Sequence, residues 1–349
     1  MPSDVTEDAL PGGMPGAAGE AGTPPDEEIP LPEELLEAAN VALGPEVVIC
    51  ECFARGGLQH EPDIVPTDEK VAMLTRIAEC GFRRIETTAF ADRGRWPQFA
   101  DAEAVLAAMP PREGVQFRAL CPDPPAVRRA LAALERGRGP EEIGLVVAAS
   151  DGHSQRSFGC TRAARWEQVG EMARLAGDGF VLVGAITVAF DCPIDGPIAP
   201  ERVLEEAERF VALGIDRITI ADTTGSATPP RVRDLVGWLH GAMPTATLIA
   251  HFRDGRGAGI ANCVAAYEAG IRHFDTALGG TGDDPAQIAH GGGPSGNTST
   301  EDLAMLFHAM GVATGLDLER LRATGRAAEA LLGRRLHSRA VRLGDDEGG

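Results

Sequence analysis

The sequence predicts an α/β protein: a (β/α)8 TIM barrel with a C-terminal helical extension and a disordered acidic N-terminal tail. Three observations carry that prediction. Eight short apolar segments alternate with helix-like stretches over roughly 230 residues. No GxGxxG follows the first apolar segment, which argues against an open doubly wound sheet on a dinucleotide. Charged and polar residues gather just past the C-terminal ends of the apolar segments, where a barrel builds its site.

The elements follow in order. Residues 1–30 are rich in Pro, Gly and acids, a composition that cannot bury enough apolar surface to fold. The first 46 residues carry eleven Asp and Glu, and no Lys or Arg precedes Arg55. "LPEELLEAANVALG" (31–44) reads as a short leading helix with Pro32 in its first turn. The barrel domain spans 45–299. Its strands are "EVVICEC", "FRRIETT", "VQFRALC", "EIGLVVAAS", "FVLVGAITVAF", "DRITIAD", "ATLIAHF" and "RHFDTAL". Helices are expected at 67–80, 124–135, 164–176, 200–213, 230–242 and 257–269. Residues 300–338, with "STEDLAMLFHAMG" and "LERLRATGRAAEALLG", form helices packing on the barrel, and 339–349 are a polar tail.

Composition removes several function classes. A net charge of −20 argues against nucleic acid or an anionic membrane as partner. The longest apolar run, 180–190, is too short to span a bilayer. The first residues lack the basic and apolar regions of a signal peptide. Seven cysteines, odd in number and without a CxxC, read as reduced and buried, so a cytoplasmic protein is expected. Lys70 is the sole lysine and sits in a helix that Thr67 is expected to cap. That placement removes a Schiff-base aldolase, which needs a lysine in its active site.

The strand ends supply the candidate site. Glu51 and Arg55 follow the first strand; Glu86, Thr87 and Thr88 the second; Ser150, Asp151 and His153 the fourth; Asp191 and Cys192 the fifth. Asp222 and Thr223 follow the sixth, and His251 and Arg253 the seventh. Alternation along a strand puts His251 and Arg253 on one side. The eighth strand leads into "GGTGDDPAQIAHGGGPSGN", read as a lid over the mouth. Plainer readings stand beside these. Arg253 could pair with Asp254, Asp222 or Glu86, and Asn297 could owe its place to a helix cap at Ser299 or Thr300. His153, His273, His308 and His337 read as structural or surface residues.

The motifs at these ends resemble those of the 3-hydroxy-3-methylglutaryl-CoA lyase family, a branch of the barrel metallolyases that include isopropylmalate and homocitrate synthases. "ECFARGGLQHE" resembles its first-strand motif E-x-x-x-R-D-G-L-Q-x-E, and "IETTAF" its second. "FDCPIDGPIAPERV" and "ADTTGSATP" resemble the fifth and sixth. "AHFRD" stands where the family has H-x-H-D, and "LGGTGDD…GGGPSGNTSTEDL" where it has its lid and S-G-N-x-x-T-E-D-L. The resemblance implies retro-aldol or Claisen-like cleavage of a carboxylated 3-hydroxyacyl substrate carried as a CoA thioester, or the reverse condensation. A divalent cation, Mg or Mn, is held by an Asp, two His and an Asn, an Arg stabilises the enolate, and a lid Cys moves a proton. It also implies a homodimer.

Carried over residue by residue, Arg55 matches the enolate-stabilising arginine, His251 the first histidine and Asn297 the asparagine. Glu51, Gln59, Glu86, Asp222 and Thr223 match motif positions around them. The family's Asp has become Gly56, its second His has become Arg253, and its lid Cys falls at Thr281. His251 and Asn297 are neutral and too few for a hard cation, and a guanidinium repels one. A retained metal would need new ligands, with Glu51, Asp283, Asp284 or His290 as candidates. Otherwise Arg253 takes over part of the cation's work, holding a carboxylate or enolate oxygen. His251 then moves protons and His290 replaces the thiol as donor. Expected roles are thus catalytic for Arg55, His251, Arg253, Glu86 and Thr281. Glu51, Gln59, Asp222, Thr223, Asn297 and His290 are expected to bind substrate, an acyl-CoA or a carboxylic acid. The competing expectations are a silent barrel that binds a ligand or partner, and a same-fold enzyme with altered, metal-independent chemistry.

Overall fold

The computed structural model describes residues 46–283 and 296–343. The tail 1–30, the leading helix 31–44, the loop positions Asp284 and His290, and residues 344–349 lie outside the described residues.

Eight parallel strands close a barrel: β1 (Val48–Glu51), β2 (Arg84–Ala89), β3 (Gln116–Leu120), β4 (Glu142–Ala148), β5 (Val181–Thr187), β6 (Arg217–Asp222), β7 (Thr247–Phe252) and β8 (His273–Thr276). Sequence order is kept around the ring, with β8 pairing β1 to close it. Seven strands fall within their apolar segments, and β2 runs one residue past "FRRIETT", to Ala89. A two-stranded hairpin, Asp191–Cys192 with Gly196–Pro197, sits on the loop after β5.

The predicted helices are present: α1 (Thr67–Glu79), α3 (Pro124–Glu135), α5 (Arg162–Ala176), α6 (Pro200–Ala212), α7 (Pro229–Ala242) and α8 (Gly259–Glu268). Two short helices went unread, α2 (Ala102–Ala108) after β2 and α4 (Asp151–Phe158) after β4. Side-chain caps start several of them: Asp123 accepts from the Ala126 amide, Ser150 from His153 and Thr161 from Ala164. Thr67 is not the cap expected of it. It is the first helical residue after Pro66, and its hydroxyl donates instead to Asp101 at 2.7 Å. Lys70 is buried one turn on, its ammonium donating to the Gln98 carbonyl at 2.6 Å and to Asp101 at 2.8 Å.

The C-terminal helices α9 (Thr300–Ala309) and α10 (Leu318–Leu332) pack on the barrel. Ser299 caps α9, as one of the two sequence alternatives held. Asp302 in the first turn of α9 accepts from the Ser338 hydroxyl and the Arg339 and Ala340 amides, tying the chain end to it. All seven cysteines are free, six of them buried and Cys160 half-buried. Among the described residues, no helix is long and apolar enough to cross a membrane.

Parallel strands in register set the barrel interior. Glu142 at the start of β4 receives Arg84 from β2 (2.7 Å) and Arg217 from β6 (2.5 Å), which makes a charged floor. Above it, Asp275 pairs in register with Cys50 on one side and His251 on the other, and Arg118 lies beside Glu86.

Candidate active site

The C-terminal mouth is built from the ends of β1, β2, β7 and β8. After β1 the chain enters a short π-helical turn, Phe53–Gly57, a wide turn of the sort often found at functional sites. It carries Arg55 to the mouth, where Nε donates to Glu86 Oε2 at 2.6 Å and Nη1 to Gln59 Oε1 at 3.3 Å. Glu86, buried at the end of β2, also faces Arg118 Nε of β3 at 3.3 Å. Burial alone would push the Glu86 carboxyl up, but Arg118 and Arg55 together hold it below its ordinary value.

The chain of charges continues across the barrel. Arg118 Nη2 donates to Asp275 Oδ2 at 3.0 Å, and the same oxygen lies 3.7 Å from His251 Nδ1. Burial opposes ionisation of Asp275 too, yet Arg118 and His251 hold its carboxyl far below the usual carboxylate range. Arg55, Glu86, Arg118, Asp275 and His251 thus form one alternating line that fixes both functional candidates from below. Arg118 Nη2 also donates to Cys52 Sγ at 3.4 Å. Cys50, Cys52 and Asp275 bring three ligand-type atoms within 4.8 Å of one another, but the Arg118 guanidinium already lies against two of them.

The second half of the mouth lies over β7 and β8. Residues 296–299 run back across these strand ends: the Asp254 amide donates to the Gly296 carbonyl and the Thr298 amide to the Phe252 carbonyl. Asn297 is thereby placed beside Arg253, with its amide and its Nδ2 both donating to the Thr281 carbonyl, at 3.0 and 2.7 Å. Its Oδ1 is buried with no hydrogen-bond partner among the described residues. Arg253 Nη1 donates to the Gly282 carbonyl at 2.7 Å. Gly282 has φ +100°, a conformation that favours glycine, and a Cβ there would run into Asn297 Nδ2 and come within 2.7 Å of the Gly56 carbonyl. A Cβ on Gly56 would sit 3.7 Å from Asn297 Nδ2. Gly56, Asn297, Arg253 and Gly282 therefore converge.

Other sequence candidates are engaged with the frame. Glu51 is buried and accepts from the Phe53 amide (2.8 Å), the Leu278 amide (2.9 Å) and the Thr300 hydroxyl (2.5 Å), bracing β1 against β8 and α9. Burial raises its carboxyl to about 8. Asp222 is buried and accepts from the Ser226 and Ala227 amides of its own loop, and burial raises it as well. The Thr223 hydroxyl accepts from the amide of Val188, which holds φ +52°, a strained value for a β-branched residue. Thr281 is buried, its hydroxyl donating to the Leu278 carbonyl at 3.0 Å. Asp283 lies 3.8 Å from His337 Nε2, and that contact lowers its carboxyl. Asp191 accepts from Ser226 and Arg231 at 2.6 Å each.

Arg118 and Asp275 were missed from sequence because they lie inside "VQFRALC" and "RHFDTAL" rather than after them. The available signal was a charge at an alternating position within an otherwise apolar strand, which a barrel interior has to neutralise.

A closed eight-stranded parallel barrel with an Arg–carboxylate–His line at its C-terminal mouth defines a (β/α)8-barrel protein with its polar site where such barrels build their active sites. The chain belongs to the HMGL-like family, whose model matches residues 46–327. It is 37% identical over 304 residues to (R)-citramalyl-CoA lyase of Chloroflexus aurantiacus, covering 83% of this chain and 92% of that protein. It is 34% identical over 296 residues to hydroxymethylglutaryl-CoA lyase of Pseudomonas mevalonii, covering 84% and 95%. Among solved structures, an HMG-CoA lyase from Acinetobacter baumannii in complex with coenzyme A and 3-methylmalate superposes with a TM-score of 0.80 at 33% identity, covering 87% of this chain and 96% of that one. The HMG-CoA lyase from Brucella melitensis gives 0.77 at 34% identity, covering 83% and 100%.

Proposed function

We propose that this protein is a carbon–carbon lyase that cleaves a carboxylated 3-hydroxyacyl thioester of coenzyme A by a retro-aldol step. The observation that carries the reading is the line from Arg55 to His251, which holds a guanidinium and an imidazole at one mouth. The relatives' activities on CoA thioesters support the substrate class.

In the reaction, His251 takes the proton of the substrate's 3-hydroxyl, imidazole being the side chain suited to proton transfer near neutrality. The C2–C3 bond breaks as C3 becomes a carbonyl, and its electron pair passes to the thioester as an enolate. Arg55, steadied by Glu86 and reached by Gln59, stabilises that charge. Proton return to C2 gives the shortened thioester. Asn297 Oδ1, buried and without a partner among the described residues, is an acceptor left over beside the same cleft. Glu51, Asp222, Thr223 and Thr281 act by holding the frame, as their hydrogen bonds are internal.

The family's divalent cation does not fit this donor set. His251 and Asn297 supply one imidazole and one carboxamide, Gly56 supplies nothing, and Arg253 places a permanent positive charge alongside. The test is to assay cleavage of hydroxymethylglutaryl-CoA and citramalyl-CoA after exhaustive chelation. Turnover that persists supports this reading. Turnover lost on chelation and restored by Mg or Mn would sink the metal-free mechanism, while absence of turnover under both conditions would favour ligand binding without catalysis.

A further inference from the structure

The departures at Gly56 and Arg253 lie in one place, and their charges balance. In the arrangement implied by the family, one carboxylate and one divalent cation leave a single net positive charge in the cleft. Counting these two positions only, Gly56 contributes none and Arg253 one positive charge, which also acts on the nearby Asp283 carboxylate. The geometry is compatible with exchange. Asn297 stands beside Arg253, a Cβ at position 56 would meet Asn297 Nδ2 and Cys52 Cβ in ordinary contact at 3.7 Å, and Gly282 adjoins all three residues. Asn297 Oδ1 remains buried with no partner among the described residues, an acceptor that nothing in the described frame satisfies. The Gly282 carbonyl holds the guanidinium at 2.7 Å, so the cation is fixed in the cleft.

We propose that Arg253 and Gly56 are a reciprocal, charge-conserving replacement of a divalent cation and its carboxylate. This rests on the site assigned above but not on its chemistry, because cation binding is read without turnover. Reversing the exchange with Gly56→Asp and Arg253→His in one chain should install a divalent site from Asp, two His and Asn297.

The experiment titrates Mn2+ alone into the full-length protein, followed by calorimetry and by the paramagnetic signal of free Mn2+. The wild type and Gly56→Asp should show binding no tighter than about millimolar, and the double variant binding at least about 100-fold tighter. Adding His251→Ala to the double variant should remove the gain. Arg253→Gln, which deletes the guanidinium without adding a ligand, should by itself tighten binding about tenfold, since a like charge has gone. Micromolar Mn2+ binding by the wild type that His251→Ala abolishes would overturn the proposal. So would a double variant that keeps the wild-type circular dichroism and melting curve yet binds no more tightly than the wild type. If the double variant does not fold, Arg253→Gln decides: affinity equal to the wild type counts against a resident cation. Loss of lyase activity in the wild type would refute the reaction proposed above and leave these binding outcomes unaffected.

Discussion

Replacing Glu86 by Gln removes one negative charge from between two guanidiniums. Arg55 lies 2.6 Å from one oxygen and Arg118 3.3 Å from the other, with side chains 17% and 3% exposed. Breaking a buried pair by removing one partner costs about 3–5 kcal/mol, because the charge left behind has no compensation. For the roughly 300 residues of the barrel and its C-terminal helices, an unfolding entropy near 2 cal/mol/K per residue makes 3 kcal/mol worth about 5 °C. The sign of the pH dependence follows from the lowered Glu86 carboxyl. A depressed folded value gives stability that is present above the unfolded value of about 4.3 and is lost as pH falls through the folded one. Thermal melts followed by circular dichroism should therefore show Glu86→Gln about 5 °C below the wild type from pH 8 to 5. The gap should close below about pH 4. Arg55 also loses its anchor, so kcat/KM should drop by about tenfold or more. A melting point within about 1 °C of the wild type at pH 7 would refute the reasoning, since it would mean that the line of charges carries no net stability.

Other outcomes are expected of the frame. Glu51, raised by burial to about 8, contributes stability that is full below its unfolded value near 4.3 and is lost as pH rises through about 8. Glu51→Gln should flatten that part of the Tm profile between pH 5 and 9, and parallel profiles for the two proteins would contradict the assignment. Gly184→Ala would put a Cβ 2.6 Å from Phe210 Cγ, where α6 packs on β5. The overpacking should cost about 1–3 kcal/mol in urea unfolding, and an unchanged midpoint would show that Phe210 yields freely.

The strands were legible because each is an apolar run ended by polar residues, and the helices because their periodicity is plain between those runs. The short α2 and α4 escaped because "AEAVLAA" and "DGHSQRSF" are too brief to establish a period. At the mouth, the strand-end rule found Arg55, Glu86, His251 and Arg253, which the structure brings to one end of the barrel. Glu51 and Asp222, which the rule also picked out, make their hydrogen bonds within the frame. A carboxylate after a strand looks the same in sequence whether it faces a ligand or turns back onto amides, as these two do. The rule was blind to Arg118 and Asp275, since their importance comes from meeting 157 residues apart across the barrel. That separation is a property of closure, which no local window contains.

Lys70 has a consequence for the chemistry of the whole surface. It is the chain's one lysine, and its side chain is 4% exposed, with the ammonium held by Asp101 and the Gln98 carbonyl. All other fixed side-chain cations are guanidiniums, which stay protonated and are poor nucleophiles. Acyl thioesters spontaneously modify solvent-facing primary amines, so a protein that handled them would accumulate adducts wherever lysines lined its exterior. This one offers no lysine amine to attack. Amine-directed crosslinkers and labels should leave the barrel untouched for the same reason, and arginine- or carboxylate-directed reagents are the practical handles on it.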